Sequence, residues 1–319
     1  MNEETFNYSS ESLAPFFYLN KRDRKNIYIF STEKEALEFY NNFSNFVPEA
    51  SHFPAWDTLS YDSFTPSLEI QGKRLQTLHN LLVMESFDIA MSMKSFTQKI
   101  FINDLDVIDM QIGQEVDFEN LIENLAFLKY VNKDRVESRG TFSIRGGQID
   151  IYPLNSEYPI RIIFNGDEVV ELKLFDYITQ RSIKNIKKVL ITPSSELFQT
   201  NQEDIYKSLE IESKKDLDEY ELFQFSQNLE NFKSLLDFVP DDISINIIDF
   251  NSCKEVFSEL QKIEDDSFNN LQKFFSLNVS KMKSRYVDTL KEINKFETIF
   301  YATNDLENIS NVPQFLDGL

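Results

Sequence analysis

Apolar residues crowd into NIYIF, Asn26 to Phe30, a run of the length expected for a short buried strand. The polar stretch after it carries Thr32 and, three positions on, Glu35, a capping box that starts KEALEFYNNF as a helix. Beyond the proline-bearing SHFPAWDTLSYDSFTPS, the residues Ile70, Leu75, Leu78, Leu81 and Leu82 recur at near-helical spacing, and DIAMS, Asp88 to Ser92, supplies another strand. Strands alternating with helices favour a parallel sheet covered on its faces. From about Val107 the pattern changes. FENLIENLAFLKY is helical, and then Phe142, Ile144, Ile149 and Ile151 alternate with polar neighbours in GTFSI and QIDIY, with Arg145-Gly146-Gly147 as the turn of a hairpin. PIRIIFNGDEVVELKLFD predicts a second hairpin around Asn165-Gly166, two residues that tolerate positive φ. After Pro193 the chain reads as acidic and helical from Gln202 to Phe238, with one clear strand in ISINIIDF and mixed segments to the end.

Composition narrows the function classes. With 319 residues, two or three domains are expected. The net charge of −21, from 53 Asp and Glu against 32 Lys and Arg, disfavours autonomous DNA binding, which needs a concentration of cations to neutralise phosphates. Between Arg139 and Lys188 the balance reverses, with eight basic residues against six acidic ones. Such a segment is either an ordinary mixed surface or a docking face for a protein partner. The single cysteine, Cys253, permits no internal disulfide, and no Cys/His cluster has metal-ligand spacing, so no metal is expected. There is no apolar run long enough to cross a bilayer and no signal-peptide pattern at the start, which predicts a cytoplasmic protein without membrane contact.

Catalytic chemistry finds little to stand on. His52 and His79, the only histidines, sit beside a Phe-Pro turn and on a predicted helix, and Cys253 has no evident base. No GxxxxGK[ST] loop is present, no glycine precedes Gly72, and Gly72-Lys73-Arg74 falls inside a predicted helix. The strand ISINIIDF ends in Asp249-Phe250 where a helicase-type ATPase would place an acidic pair. No catalytic residue and no cofactor are therefore assigned.

Two stretches carry a resemblance. FPAWDTLSYDSFTPSLEIQGKRLQTLHNL and, further on, RGTFSIRGGQIDIYPLNSEYPIRIIFNGDEVVELKLFDYITQRS closely resemble, in order and spacing, the amino-terminal UvrB-like module of the bacterial transcription-repair coupling factors, the Mfd family. The family patterns are P-W-E-T-L-P-Y-D-x-F-S-P for the first, and R-G-G-x-x-D-I-F-P, P-x-R-x-x-F-x-G-D-E and F-D-x-x-T-Q-R-S for the second. The resemblance implies a degenerate helicase-type α/β domain interrupted by an inserted β-rich α+β domain: residues 1–106, an inserted UvrA-binding domain over 107–193, and a return to the α/β domain with a carboxy-terminal subdomain over 194–319. It implies contacts to UvrA from Arg145 and Arg161. Asn165 stands where the family carries an aromatic contact, so Phe164 is the neighbour expected to supply apolar contact, while Gly146, Gly147 and Gly166 shape the turns. Trp56, Asp57 and Tyr61 match a functional loop of the family's outline; a buried aromatic cluster closing the α/β layer is the reading preferred for them, and for Phe64.

The function implied is a non-catalytic recruitment module of transcription-coupled nucleotide excision repair. RNA polymerase and DNA would be met only through downstream modules of a full-length, ATP-dependent translocase, because the resemblance stops where those modules begin. Two alternatives stay open, a degenerate UvrB-type DNA-handling ATPase and a stand-alone regulatory decoy that occupies UvrA.

Overall fold

The computed structural model describes residues 3–5, 10–20, 25–60, 62, 64–102, 104–212, 216–271 and 282–302. In chain order the elements begin with β1 (Glu3–Thr5), α1 (Ser10–Asn20), β2 (Asn26–Phe30), α2 (Glu33–Phe43), β3 (Ser51–Phe53), α3 (Leu68–Val83), β4 (Asp88–Ser92) and α4 (Met93–Thr97). A β-rich region follows: β5 (Ile108–Gln111), α5 (Phe118–Phe127), β6 (Val131–Asn132), β7 (Thr141–Ile144), β8 (Gln148–Tyr152), β9 (Ile160–Asn165), β10 (Glu168–Phe175), β11 (Ser182–Ile186) and β12 (Lys188–Ile191). The chain then runs through α6 (Gln202–Ser208), α7 (Glu219–Ser226), β13 (Ser244–Ile248), α8 (Phe250–Leu271) and β14 (Glu297–Ala302).

The first sheet has the order β1-β14-β13-β2-β4-β3, and all of its pairings are parallel. Its middle strands β13, β2 and β4 are buried along their whole length, as helices on both faces require. Alternation along β2 feeds two cores. Ile27 and Ile29 pack with Leu75, Leu78 and Leu81 of α3 and with Cys253, Phe257 and Leu260 of α8. Tyr28 and Phe30 pack with Leu13, Ala14 and Phe17 of α1 and with Ala36, Phe39 and Phe43 of α2. The expected box caps α2: the Glu35 amide donates to Thr32 Oγ1 at 3.2 Å, and the Thr32 amide donates to the Glu35 carboxylate at 3.0 Å.

The second sheet, β11-β10-β9-β8-β7-β6, is antiparallel except where the short β6 runs parallel to β7. Its inner face, including Phe142, Ile149, Ile151, Ile162, Val169 and Leu172, belongs to the same continuous core as α3 and the parallel sheet, together with Leu121 and Leu125 of α5. Strands β5 and β12 pair antiparallel, Ile108 opposite Ile191, so the chain enters and leaves the β-rich region side by side. The architecture is thus α/β, interrupted by a β-rich insertion.

Several local expectations are corrected. Leu82 is 47% exposed, because the buried stripe of α3 runs through Gln71, Arg74, Leu75, Leu78 and Leu81. Among its described residues, the acidic stretch from Gln202 to Phe238 is only partly helical, broken into α6, α7 and a 3-10 turn at Leu235–Phe238. In the second hairpin the central turn residues are Gly166 and Asp167, since Asn165 still pairs with Glu168; the positive φ, 63°, belongs to Gly166 alone.

Gly72 sits inside α3 for a reason unrelated to phosphate. A Cβ built there would lie 2.4 Å from the Leu154 carbonyl oxygen, in the segment joining β8 to β9. Alanine normally stabilises a helix interior by about 1 kcal/mol over glycine, yet here overpacking against backbone, about 1–3 kcal/mol or more, should win. Gly72→Ala is expected to lower the midpoint of thermal unfolding; a rise would show that α3 and the β8–β9 segment separate easily.

Candidate partner interface

The outer face of the antiparallel sheet gathers the polar residues that the hairpin alternation leaves over. Register pairs Ser143 with Asp150, Asp150 with Arg161, Arg161 with Lys173 and Lys173 with Asn185, a row that crosses five strands from β7 to β11. One step towards the hairpin tips, Gln148 pairs with Ile163, and Ile163 with Glu171. Because residues two apart share a face, Arg161, Ile163 and Asn165 all belong to this surface.

Arg145 is exposed at the end of β7, where its amide and carbonyl both bond to Gln148 and leave Gly146 and Gly147 as the two-residue loop. Gly146 holds φ at +58°, and the Gly147 carbonyl accepts the Phe164 amide at 2.8 Å, which ties the hairpin tip to β9. The Arg145 guanidinium donates to the Asp134 carbonyl at 2.8 Å, a contact that positions it without neutralising its charge.

Arg161 is not a freely exposed strand arginine. Only 18% of its side chain is exposed. Its Nε and Nη2 both donate to the Asp150 carboxylate at 2.8 Å, its plane lies 4.7 Å from the Phe175 ring centre, and Gln148 donates to the same carboxylate at 2.9 Å. The hydrogen bond to Asp150 outweighs burial and holds the guanidinium even more firmly in its charged form. Nη1 makes no hydrogen bond among the described residues, so one edge of the fork stays uncommitted while the rest is fixed.

Asn165 is exposed at the end of β9 on this face. Phe164 points the other way: it is 8% exposed and meets Phe118 edge-on at 5.1 Å, which makes it a core residue and not an apolar contact on the surface. Ile163, half-buried beside Asn165, occupies the position the face offers instead. The period-two alternation could have identified it.

The other candidates separate. Trp56 is buried, as expected, against Phe223 and Phe101. Asp57 is exposed and accepts the Ser67 amide at 2.9 Å, Phe64 is 66% exposed and so outside any buried cluster, and Tyr61 lies outside the described residues. His52 stacks on Tyr40 and faces Glu33 at 3.1 Å. Burial pushes the Glu33 carboxyl up, but the facing His52 and the hydrogen bond from the Ser92 hydroxyl outweigh it and leave it below the usual range. Cys253 is buried, and desolvation drives its thiol far up, away from reactivity.

What the sequence did not disclose is a buried polar clasp. Arg74 donates from Nε to both Glu196 oxygens, at 2.8 and 3.0 Å, and from Nη1 to the Pro54 carbonyl at 2.9 Å. Trp56 Nε1 donates to the same carboxylate at 2.8 Å, and the Glu196 amide donates to Gln71 at 3.0 Å. Residues from before and after the β-rich insertion are locked together here.

Residues 108–197 match the family model described as the UvrB interaction domain, a span that begins in β5 and closes just past β12. The chain is 29% identical over 168 residues to the transcription-repair-coupling factor of Escherichia coli K12, covering 51% of this chain and 14% of that protein. Against that of Staphylococcus aureus MRSA252 it is 26% identical over 268 residues, 74% of this chain and 22% of the relative, and against that of Bacillus subtilis 168 it is 26% identical over 252 residues, 69% and 21%. The chain therefore spans less than a quarter of the length of these relatives. Residues 108–197 are thus similar to the UvrB interaction domain, and the similarity to the transcription-repair-coupling factors extends well beyond that span.

Proposed function

We propose that the chain is a non-catalytic, UvrB-like recruitment module of transcription-coupled nucleotide excision repair that binds UvrA through the outer face of its antiparallel sheet. The observation that carries this reading is the coincidence of the matched domain with a surface on which Arg145, Arg161, Ile163 and Asn165 lie together. A guanidinium fixed by its own protein loses little freedom on docking, and a charge-assisted bond to a partner carboxylate then contributes specificity.

The ends of the parallel strands favour the non-catalytic part of the reading. Where a nucleotide-binding enzyme would offer bare amides after a central strand, the start of α2 is filled by its own carboxylates. Glu35 accepts the Thr32 amide and both neighbouring hydroxyls, while Glu33 accepts Ser92 Oγ at 2.7 Å and the Ala55 amide at 3.3 Å. A phosphate would meet two negative charges there. At the end of β13, Asp249 takes a positive φ of 53° and caps α8 by accepting the Ser252 amide and hydroxyl at 3.2 and 2.7 Å. RNA polymerase and DNA belong, in this reading, to parts of a longer protein.

Calorimetric titration of the chain with UvrA from the same organism tests the reading. Binding is expected, with Arg145→Ala weakening it by about 1–3 kcal/mol and leaving the melting midpoint in place, because that side chain is exposed. Titration with ATP and magnesium should give no heat of binding. Absence of any UvrA complex would refute the recruitment role, and saturable ATP binding would favour the degenerate-ATPase alternative.

A further inference from the structure

The sheet that carries the candidate interface ends in an open edge whose chemistry is unlike the rest of the chain. Strand β11 pairs with β10 on one side, and its other side has no strand partner among the described residues. Ser182, Ile183, Lys184 and Asn185 are all exposed, and Ile183 is 51% exposed. Between Asp176 and Glu196 the sequence contains no carboxylate but holds Arg181, Lys184, Lys187 and Lys188. Lys188 is engaged by Asp109 at 3.0 Å, whereas Arg181, Lys184 and Lys187 pair with no carboxylate among the described residues. In a chain of net charge −21 this concentrates positive charge along one sheet edge, with Lys184, paired opposite Leu174, on the face away from Lys173 and Asn185, and Arg181 and Lys187 just outside the two ends of β11.

An unpaired edge displays a row of amide and carbonyl groups spaced for one more strand, about 3.3 Å per residue. Lysines along it repel the same edge of a second copy, so self-pairing is disfavoured, while an extended acidic segment gains both backbone hydrogen bonds and charge complementarity. The edge is also continuous with the candidate interface, since the register row through Arg161 and Lys173 ends at Asn185 of β11.

We infer that β11 is a strand-addition site, where an extended acidic segment of the partner that covers the outer face pairs with Ser182–Ile186 while its carboxylates meet Arg181, Lys184 and Lys187. This rests on the proposed UvrA reading and extends its footprint from the sheet face to the sheet edge.

The test uses the whole chain and UvrA from the same organism. Hydrogen exchange of the β11 amides is measured with and without UvrA, alongside the affinity of Lys184→Glu/Lys187→Glu at two salt concentrations. Slowed exchange across β11, together with an affinity loss on the order of tenfold at low salt that shrinks at high salt, is the expected result. If wild type binds UvrA but β11 exchange is unchanged, or the charge reversal binds as wild type does, strand addition is overturned and the face-binding reading survives. If wild type does not bind UvrA at all, both fall.

Discussion

Glu196→Ala is expected to destabilise the chain by about 3–5 kcal/mol, a large share of the roughly 5–15 kcal/mol that separates a domain from its unfolded state. The reason is what remains behind. Arg74 is fully buried, its guanidinium 4.3 Å from the Phe53 ring centre and 5.7 Å from that of Trp56, with Glu196 as its ion-pair partner. Without the carboxylate, a buried cation loses its counter-charge and the Trp56 indole N–H loses its acceptor. Burial raises the Glu196 carboxyl above its ordinary value, against the opposing pull of Arg74 and Trp56, so the ion pair is an expensive arrangement held by geometry. Glu196→Gln should therefore also destabilise, since it keeps the shape and removes the charge that matches Arg74. The double variant Arg74→Met/Glu196→Met, apolar on both sides, should recover much of the loss. Urea unfolding of the four proteins reads these differences. A Glu196→Ala midpoint equal to wild type would mean that solvent reaches Arg74 and that the clasp does not hold the two flanks of the insertion together.

The clasp also marks the limit of what the sequence can disclose. Strands β2, β4 and β13 were legible because each is a short apolar run between helical patterns, and both hairpins were legible from alternation and glycine. Arg74 and Glu196 are 122 positions apart, and an arginine inside an otherwise amphipathic helix carries no sign that its face will be roofed by a returning segment. Helix α1 was missed because Pro15 interrupts its pattern, and β14 because a half-buried edge-side strand gives little signal outside its sheet. The candidate interface shows the same division. Which residues share the outer face follows from period two, and that rule alone would have turned Phe164 inward. That Arg161 is held by a carboxylate needed the register of β8 against β9, which placed Asp150 opposite it.

That register changes what replacing Arg161 should do. Asp150 is 2% exposed at its side chain, so Arg161→Ala strands a nearly buried carboxylate, and a stability loss of about 2–3 kcal/mol is expected, less than for the clasp because Arg161 itself reaches solvent. Asp150→Ala should cost a similar amount by freeing the fork and leaving Gln148 without its acceptor. Their combined cost should fall well short of the sum, since each single change already breaks the pair. Arg161→Lys keeps the charge but cannot reproduce the two parallel bonds at 2.8 Å, and should fall between wild type and Arg161→Ala in stability. Binding separates the roles. If Arg161 touches UvrA, Arg161→Ala should weaken the complex even at a temperature where the variant is fully folded, and Asp150→Ala, which leaves the guanidinium present but unfixed, should weaken it less. Thermal melts paired with calorimetric titration of these variants decide between them. Equal affinity for all folded variants would make Arg161 a structural residue of the sheet and leave the docking role to Arg145, Ile163 and the basic edge.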